Sequence, residues 1–188
     1  MAMEQEMNRL DCCQRHINHE PAKQWYIYGC NEADDIAKFM FLWISLNWLY
    51  NADTYFKYRE EFNHKEDDKR DPSEREQILN FVDDRFEQLR GFDVRKAPEF
   101  NIFYDQALFD ARKAAGDEPR QKDYRKNDHR KLRSKFEKER IQGMFLTLYQ
   151  VRCNLFHGSK RLKSGRDDLL IHSAAIILEG YLATIFKD

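Results

Sequence analysis

The sequence has few glycines, few prolines and few of the β-branched residues that sheets prefer. Among 188 residues there are seven Gly and four Pro, so turns are few and the elements are long. Val and Thr occur three times each, which leaves a sheet without most of its preferred residues. Ile is more frequent, but its positions follow helical spacing. These shortages predict an all-α protein.

Cysteine is also scarce. The four cysteines show no spacing typical of a secreted disulfide framework; they are Cys12, Cys13, Cys30 and Cys153. Two of them, with His16 and His19, have the residue types of metal ligands, but their spacing matches no standard zinc pattern. We therefore expect no metal and no other cofactor.

Long apolar runs are missing as well. The longest, at 173–186, is interrupted by Glu179 and falls short of the ~18–20 residues that a membrane span needs. No pattern typical of a signal peptide opens the chain. These features predict a cytoplasmic protein that does not associate with a membrane.

Charge is abundant but balanced. Charged residues make up 35% of the chain, yet the formal net charge is −1, so net charge says nothing about nucleic acid. Locally the balance shifts, because residues 120–140 contain ten Lys or Arg against four acids. Such a segment is by default a solvated helix face. Its closeness in sequence to the motif described below favours, as an alternative, a surface that follows a phosphate backbone.

Bulky side chains are plentiful: 14 Phe, nine Tyr and three Trp can fill one hydrophobic core. The length fits a single domain. We therefore predict one helical domain over 1–188, an antiparallel bundle of about five or six helices. Residues 1–30 form an N-terminal extension and residues 117–140 a charged insertion.

Helix boundaries can be placed from capping residues. Asn31, with Asp34 three residues later, predicts the start of a strongly apolar helix. Asn47 on that helix is a buried amide that needs partners, and it is a candidate to line the same cleft as the motif described below. Asp71, followed by Pro72, predicts a second start, and that helix should stop at Gly91.

Further boundaries fall in the second half. A helix opens at Pro98 and ends near Gly116, and another ends at Gly158, which suits the left-handed position after a helix. Asp167 and Asp168 suit the positive end of the last helix.

One short segment, 151–158, concentrates residues able to do chemistry. Arg152 and His157 lie five apart, about 140° around an ideal helix, so they converge only if the helix ends or distorts there. Gly158 gives it a reason to end. Cations are favoured at a helix C-terminus, which helps to keep His157 protonated and able to donate a proton. The plain alternative is a structural helix end, with the arginine paired to an acid.

The string Tyr149-Gln-Val-Arg152-Cys-Asn154-Leu-Phe-His157-Gly-Ser-Lys160, followed by a helix, resembles the signature of HEPN domains. The hallmark of these domains is an Arg, four to six residues and a His, late in a helical bundle. The early helix with Trp43, Leu46, Asn47, Leu49 and Tyr50 also looks like the first core helix of some prokaryotic members. The resemblance covers roughly residues 31–56 and 141–187, with a divergent middle.

This resemblance implies a homodimer with a composite active site that cleaves single-stranded RNA without a metal, in a toxin–antitoxin, stress or phage-defence context. Arg152 would hold the scissile phosphate and His157 would transfer protons, with Asn154 in support. Further nucleic-acid contacts are expected from basic side chains on either side of the motif: Lys160, Arg161, Lys163 and Arg133. A regulatory partner such as an antitoxin fits the same context.

One departure from the family pattern opens an alternative. Many members have a polar residue directly after the arginine, whereas this chain has Cys153 there and Asn154 one place later. A thiol does not reproduce the hydrogen bonds of an amide. The alternative function is a non-catalytic module that binds RNA, a nucleotide or a protein partner; a purely structural dimerisation domain is a third.

Overall fold

Helices account for all the regular secondary structure that a computed structural model of the protein describes, in residues 19–62, 72–104, 130–156 and 165–187. No strand occurs within these ranges, and the helices pack on one another as a bundle. The all-α prediction is confirmed. Five of the described helices are eleven residues or longer.

The helices are numbered here in chain order. The five long ones are α1 (Glu20–Asn31), α2 (Asp35–Phe62), α3 (Glu74–Asp84), α6 (Glu137–Phe156) and α7 (Gly165–Ile185). Three short elements connect the middle: α4 (Phe86–Leu89), a 3₁₀ turn (Val94–Lys96) and α5 (Phe100–Tyr104). The helix expected from Pro98 to Gly116 is seen only as α5, because residues 105–129 lie outside the described ranges.

The predicted cap at Asn31 was wrong. Asn31 is the last residue of α1, a helix that the sequence pattern did not predict, and its side-chain amide donates to the carbonyl of Ile27 at 2.8 Å. The residue that caps α2 is Asp34, whose Oδ1 accepts a hydrogen bond from the amide of Ala37 at 2.9 Å. Both residues are good caps, and the apolar face of α1 decided between them because it packs on α2.

The start of α3 also differs from the prediction. Its N-cap is Ser73, not Asp71, and Ser73 forms a capping box with Glu76. The Oγ of Ser73 accepts from the amide of Glu76, and the Glu76 carboxylate accepts from the amide of Ser73. Each of the two side chains thus accepts a hydrogen bond from the backbone N–H of the other residue. Glu74 follows this cap as the first helical residue.

The helix expected to run unbroken to Gly91 is interrupted at Arg85. The backbone there leaves helical geometry, and Arg85 both ends α3 and precedes α4. Its guanidinium makes a bidentate pair with Asp53 of α2, with both N···O distances at 2.9 Å. Such a fork fixes the orientation of the side chain, so this break is anchored to the central helix.

The core lies around α2, which packs against α1, α3 and α7, while α6 packs against α3 and α7. Its largest fully buried side chains include Phe39, Tyr50, Phe81, Phe103, Phe145 and Tyr181. Burial raises the pKa of Tyr181, which is therefore neutral at ordinary pH.

Two glycines allow close approach. A Cβ on Gly29 would lie 2.7 Å from the side chain of Leu42, so α1 sits tightly on α2 at this point. A Cβ on Gly143 would lie 2.7 Å from the backbone nitrogen of Leu132. Because backbone cannot move aside as a side-chain tip can, the basic segment at 130–135 is held directly against α6 there.

One segment within α7, Asp168–Ile185, has the length and composition of a candidate membrane span, with a mean hydropathy of 1.4. Nearly half of it, 44%, is buried within the bundle. The core helix of a protein that does not cross a membrane passes the same test of length and composition.

Candidate functional site

Arg152 lies four residues before the end of α6, the helix that leads into His157. Its Nη1 donates a hydrogen bond to Oε2 of Glu74, the first residue of α3, at 3.2 Å. Both side chains are 26% exposed, so the ion pair lies at the edge of the bundle. A carboxylate is also favoured at this place because it sits at the positive end of α3. The arginine is thus held by an acid from a distant part of the chain.

Two aromatic rings complete the surroundings of the guanidinium. Its Cζ lies 4.8 Å from the centre of the Phe156 ring and 6.0 Å from that of Trp43. Both distances are within the range of cation–π attraction. Phe156 is four residues further along α6, so it stands on the same helix face. The guanidinium therefore contacts one buried ring and one exposed ring.

Two buried N–H groups at this place have no hydrogen-bond partner in the part of the chain that the structure describes. They are Nε of Arg152 and Nε1 of Trp43. A buried donor without an acceptor costs about 1–3 kcal/mol, and such groups are rare in folded proteins. Both donors lie beside the partly exposed guanidinium, where α2 and α6 meet.

Tyr50 connects Glu74 to the central helix. Its hydroxyl donates to Oε1 of Glu74 at 2.6 Å and accepts from Nδ2 of Asn47 at 2.6 Å. Nδ2 of Asn51 adds another hydrogen bond to this series by donating to Oδ1 of Asn47 at 2.6 Å. The expected buried amide at Asn47 thus has partners, and it belongs to the same network as Arg152. The network joins α2, α3 and α6.

Both tyrosines near the arginine stay neutral at physiological pH. Burial, and then the hydrogen bond to Glu74, raise the pKa of Tyr50 far above its usual value of 10. Burial, and then a hydrogen bond with Cys153, raise the pKa of Tyr149 to about 12. A phenol with a raised pKa does not act as a base near pH 7, so the tyrosines serve as hydrogen-bond donors.

Cys153 and Asn154, the two residues after the arginine, differ in their settings. Cys153 is a half-buried free thiol whose Sγ lies 4.0 Å from Nη1 of Arg152. Asn154 is 8% exposed, and its Oδ1 accepts from Nε2 of Gln150 at 3.0 Å. Two positions along a helix turn a side chain by about 200°, so Asn154 leaves α6 in another direction from Arg152. Its predicted supporting role stays a prediction.

Of the other predicted site residues, one lies away from Arg152 and the rest lie outside the described ranges. His157, Lys160, Arg161 and Lys163 belong to residues 157–164, which the structure does not describe. Arg133 is exposed and precedes the N-terminal end of α6. Arg133 follows Leu132, whose backbone lies against Gly143. From Gly143 to Arg152 the helix rises by about 14 Å, so Arg133 and Arg152 of one chain are separated along α6.

Sequence reasoning missed Glu74 and the role of Tyr50 in holding it. Glu74 was not singled out, and Tyr50 appeared only among the residues of the early helix that resembles a HEPN core helix. The available signal was the placement of an acid in the first turn of α3, but pairing over 78 positions is set by tertiary packing. No local pattern reports it.

Metal binding finds no further support. Among the described residues there is no group of three or more His, Cys, Asp or Glu side chains placed to hold an ion. Of the cysteine–histidine group near the N-terminus, only His19 is described. Burial, and then the charge of Arg85, lower the pKa of His19, and its ring meets Trp48 edge-on at 6.0 Å.

Comparison with known proteins does not assign a family. A scan against protein-family models gave no match, and searches of curated proteins and of solved structures gave no significant match.

Proposed function

We propose that the protein is a metal-independent endoribonuclease of the HEPN type, acting on single-stranded RNA in a toxin–antitoxin, stress or phage-defence context. The observation that carries the proposal is the setting of Arg152. A guanidinium held by a carboxylate and two rings loses little conformational entropy when it binds a phosphate. It also lies five residues before the histidine of the motif.

The proposed reaction uses the RNA's own 2′-hydroxyl as nucleophile. The 2′-oxygen attacks the adjacent phosphorus, its proton passes to a base, and the bond to the 5′-oxygen breaks as that oxygen takes a proton from an acid. The products are a 2′,3′-cyclic phosphate and a free 5′-hydroxyl. One motif supplies one imidazole and one guanidinium, so two protomers together would supply acid, base and charge stabilisation. This is the reason to expect a homodimer.

Glu74 is a positioning residue in this scheme. By accepting from Nη1 it fixes the plane of the guanidinium, and Tyr50 and Asn47 fix the carboxylate in turn. A phosphate would use guanidinium N–H groups that Glu74 does not engage, which suits the five-donor fork of arginine. The side chain is 26% exposed, so solvent and ligands reach part of it.

The test is cleavage of a labelled single-stranded RNA in EDTA by the wild-type protein and by His157→Ala. The matched control is His172→Ala, which removes an exposed histidine on α7 that pairs with Asp35. A 2′-deoxy substitution at the cleaved position removes the nucleophile. We expect cleavage by the wild type and by the control, and none by His157→Ala or on the deoxy substrate.

Arg152→Lys extends the same test. It keeps the positive charge but loses the planar fork and the stacking on Phe156, so we expect cleavage to fall by about 10²-fold or more. Intact RNA with the wild-type protein across single-stranded substrates, or cleavage by His157→Ala at the wild-type rate, would contradict the proposal.

A second candidate function is a non-catalytic module that binds RNA, a nucleotide or a protein partner. The observation in its favour is that the charge of Arg152 is already balanced by Glu74, as in a purely structural ion pair. Under this alternative, His157→Ala leaves RNA affinity nearly unchanged and the wild type cleaves nothing. Binding that weakens with salt distinguishes it from a structural dimerisation domain.

A further inference from the structure

Phe156 stands out among the large apolar side chains at the surface. It is 58% exposed, and single exposed apolar residues need no special explanation. Phe156 differs because its ring lies 4.8 Å from the guanidinium carbon of Arg152. The exposed ring is therefore fixed next to the group that the proposed function assigns to the scissile phosphate.

The two rings at Arg152 are not equivalent. Trp43 is 2% exposed and belongs to the core, so it is available only to the protein interior. Phe156 has more than half of its surface open, and it contacts the guanidinium through the other part. A flat ring in this position offers a free surface to a second flat group, as the stacking residues of single-strand-binding proteins do.

We infer that Phe156 is the nucleobase-stacking residue of the site, and that the substrate must be unpaired at the nucleotide beside the phosphate held by Arg152. The inference rests on the proposed function and deepens it by assigning the preference for single strands to one side chain. In a duplex each base is covered on both faces by its neighbours, so its face cannot meet the ring without unstacking. Stacking on an aromatic ring tolerates any base, because every base has a π-face.

The charge pattern around the ring suits a nucleotide. The positive guanidinium lies at its inner side, and Glu74, the acid that pairs with this guanidinium, accepts hydrogen bonds from both Arg152 and Tyr50. A nucleotide presents an anionic phosphate and an apolar base face a short distance apart. Arg152 and Phe156 present a cation and an apolar ring at the same kind of separation, one helical turn apart.

The experiment measures binding and cleavage separately for Phe156→Ala, Phe156→Leu and Phe156→Trp in the full chain. Binding is followed by the fluorescence anisotropy of a labelled single-stranded oligonucleotide with a 2′-deoxy sugar at the cleaved position. Cleavage is followed on the all-ribose strand, alone and annealed to its complement. Tyr28→Ala is the matched control, because Tyr28 is 61% exposed and lies on α1.

We expect Phe156→Ala and Phe156→Leu to weaken single-strand binding by about 10-fold or more and to raise KM more than they lower kcat. Phe156→Trp should retain or improve binding, since it keeps the stacking surface. Tyr28→Ala should match the wild type. Rescue by tryptophan but not by leucine separates stacking from simple apolar contact.

Several outcomes would overturn the inference. Equal affinity of Phe156→Ala and wild type for the single strand, or an equal loss in Tyr28→Ala, removes the role of the ring. A change in oligomeric state in Phe156→Ala, measured by light scattering, assigns the ring to an interface between copies. If the wild type neither binds nor cleaves RNA, the proposed function fails first; if it does both and the variants are unchanged, only the stacking role fails.

Discussion

Nη1 of Arg152 lies 3.2 Å from Oε2 of Glu74, although 78 positions separate the two residues in the chain. The pair joins the end of α6 to the start of α3, and Tyr50 joins the same carboxylate to α2. The Glu74 carboxylate of α3 thus accepts hydrogen bonds from both α2 and α6. Loss of that group removes an anionic partner and leaves a half-buried cation, which costs more than the loss of an exposed ion pair.

Glu74→Gln should lower the free energy of unfolding by about 1–2 kcal/mol, because a neutral amide replaces the charge partner of Arg152. The range allows for the partial exposure of both side chains. In a cycle with Arg152→Gln, we expect the double variant to lose less than the sum of the single losses, with a coupling of about 0.5–1 kcal/mol. Urea unfolding measures all four proteins. Losses that add to within about 0.3 kcal/mol would show that the pair is not coupled.

Tyr50→Phe should cost about 1–2 kcal/mol, because the hydroxyl is buried and its removal leaves the Asn47 amide and the Glu74 carboxylate each short of a partner. Tyr28→Phe is the control, since it removes a hydroxyl from a side chain that is 61% exposed. Thermal and urea unfolding give the comparison. Similar losses in the two variants would mean that the hydroxyl of Tyr50 contributes nothing specific.

Alkaline pH should destabilise the protein through its tyrosines. The pKa of Tyr149 is raised to about 12 in the folded chain, from the usual value of 10, so between these two pH values the folded state binds more protons than the unfolded state. The stability from the neutral phenol is therefore complete below about pH 10 and is lost as the pH rises towards 12. The decline should be smaller in Tyr149→Phe, in which the titrating lysines are unchanged.

That comparison uses unfolding free energies measured from pH 8 to 12 for both proteins. Parallel curves would contradict the assignment, because they would show that Tyr149 loses its proton equally easily in the folded and unfolded chains.

Gly143→Ala should destabilise the protein by about 1–3 kcal/mol, despite the better helix propensity of alanine. The new Cβ would meet the backbone of Lys131 and Leu132 at 2.7–2.9 Å. Lys138→Ala, which removes an exposed pair with Asp83, serves as the surface control on α6 and should change stability by less than about 1 kcal/mol. A stabilised Gly143→Ala variant would show that the segment at 130–135 can move away.

The sequence predicts the fold class well because helical composition and periodicity are local properties. It predicts individual caps less well: at Asn31 and Asp71 a plausible cap lay two or three residues from the real one, and packing of α1 and the Ser73–Glu76 box decided the outcome. The helix α1 escaped prediction because residues 1–30 mix charge, histidine and aromatics, and because its burial depends on α2.

In the candidate site too, local features could be predicted and contacts between distant residues could not. Arg152 could be singled out from its motif, whereas Glu74 could not, since nothing local marks it as the partner of a residue 78 positions away. The sequence showed Phe156 only as one residue of the motif. Its exposure and its distance from the guanidinium of Arg152 came from the structure.

The close contact at Gly143 sets the distance between the basic segment at 130–135 and Arg152. It fixes the segment at 130–135 to one point of α6, and nine residues separate that point from Arg152, which is about 14 Å along a straight helix. A molecule that touches Arg152 and the backbone of the segment at 130–135 at once must therefore span about 14 Å along α6.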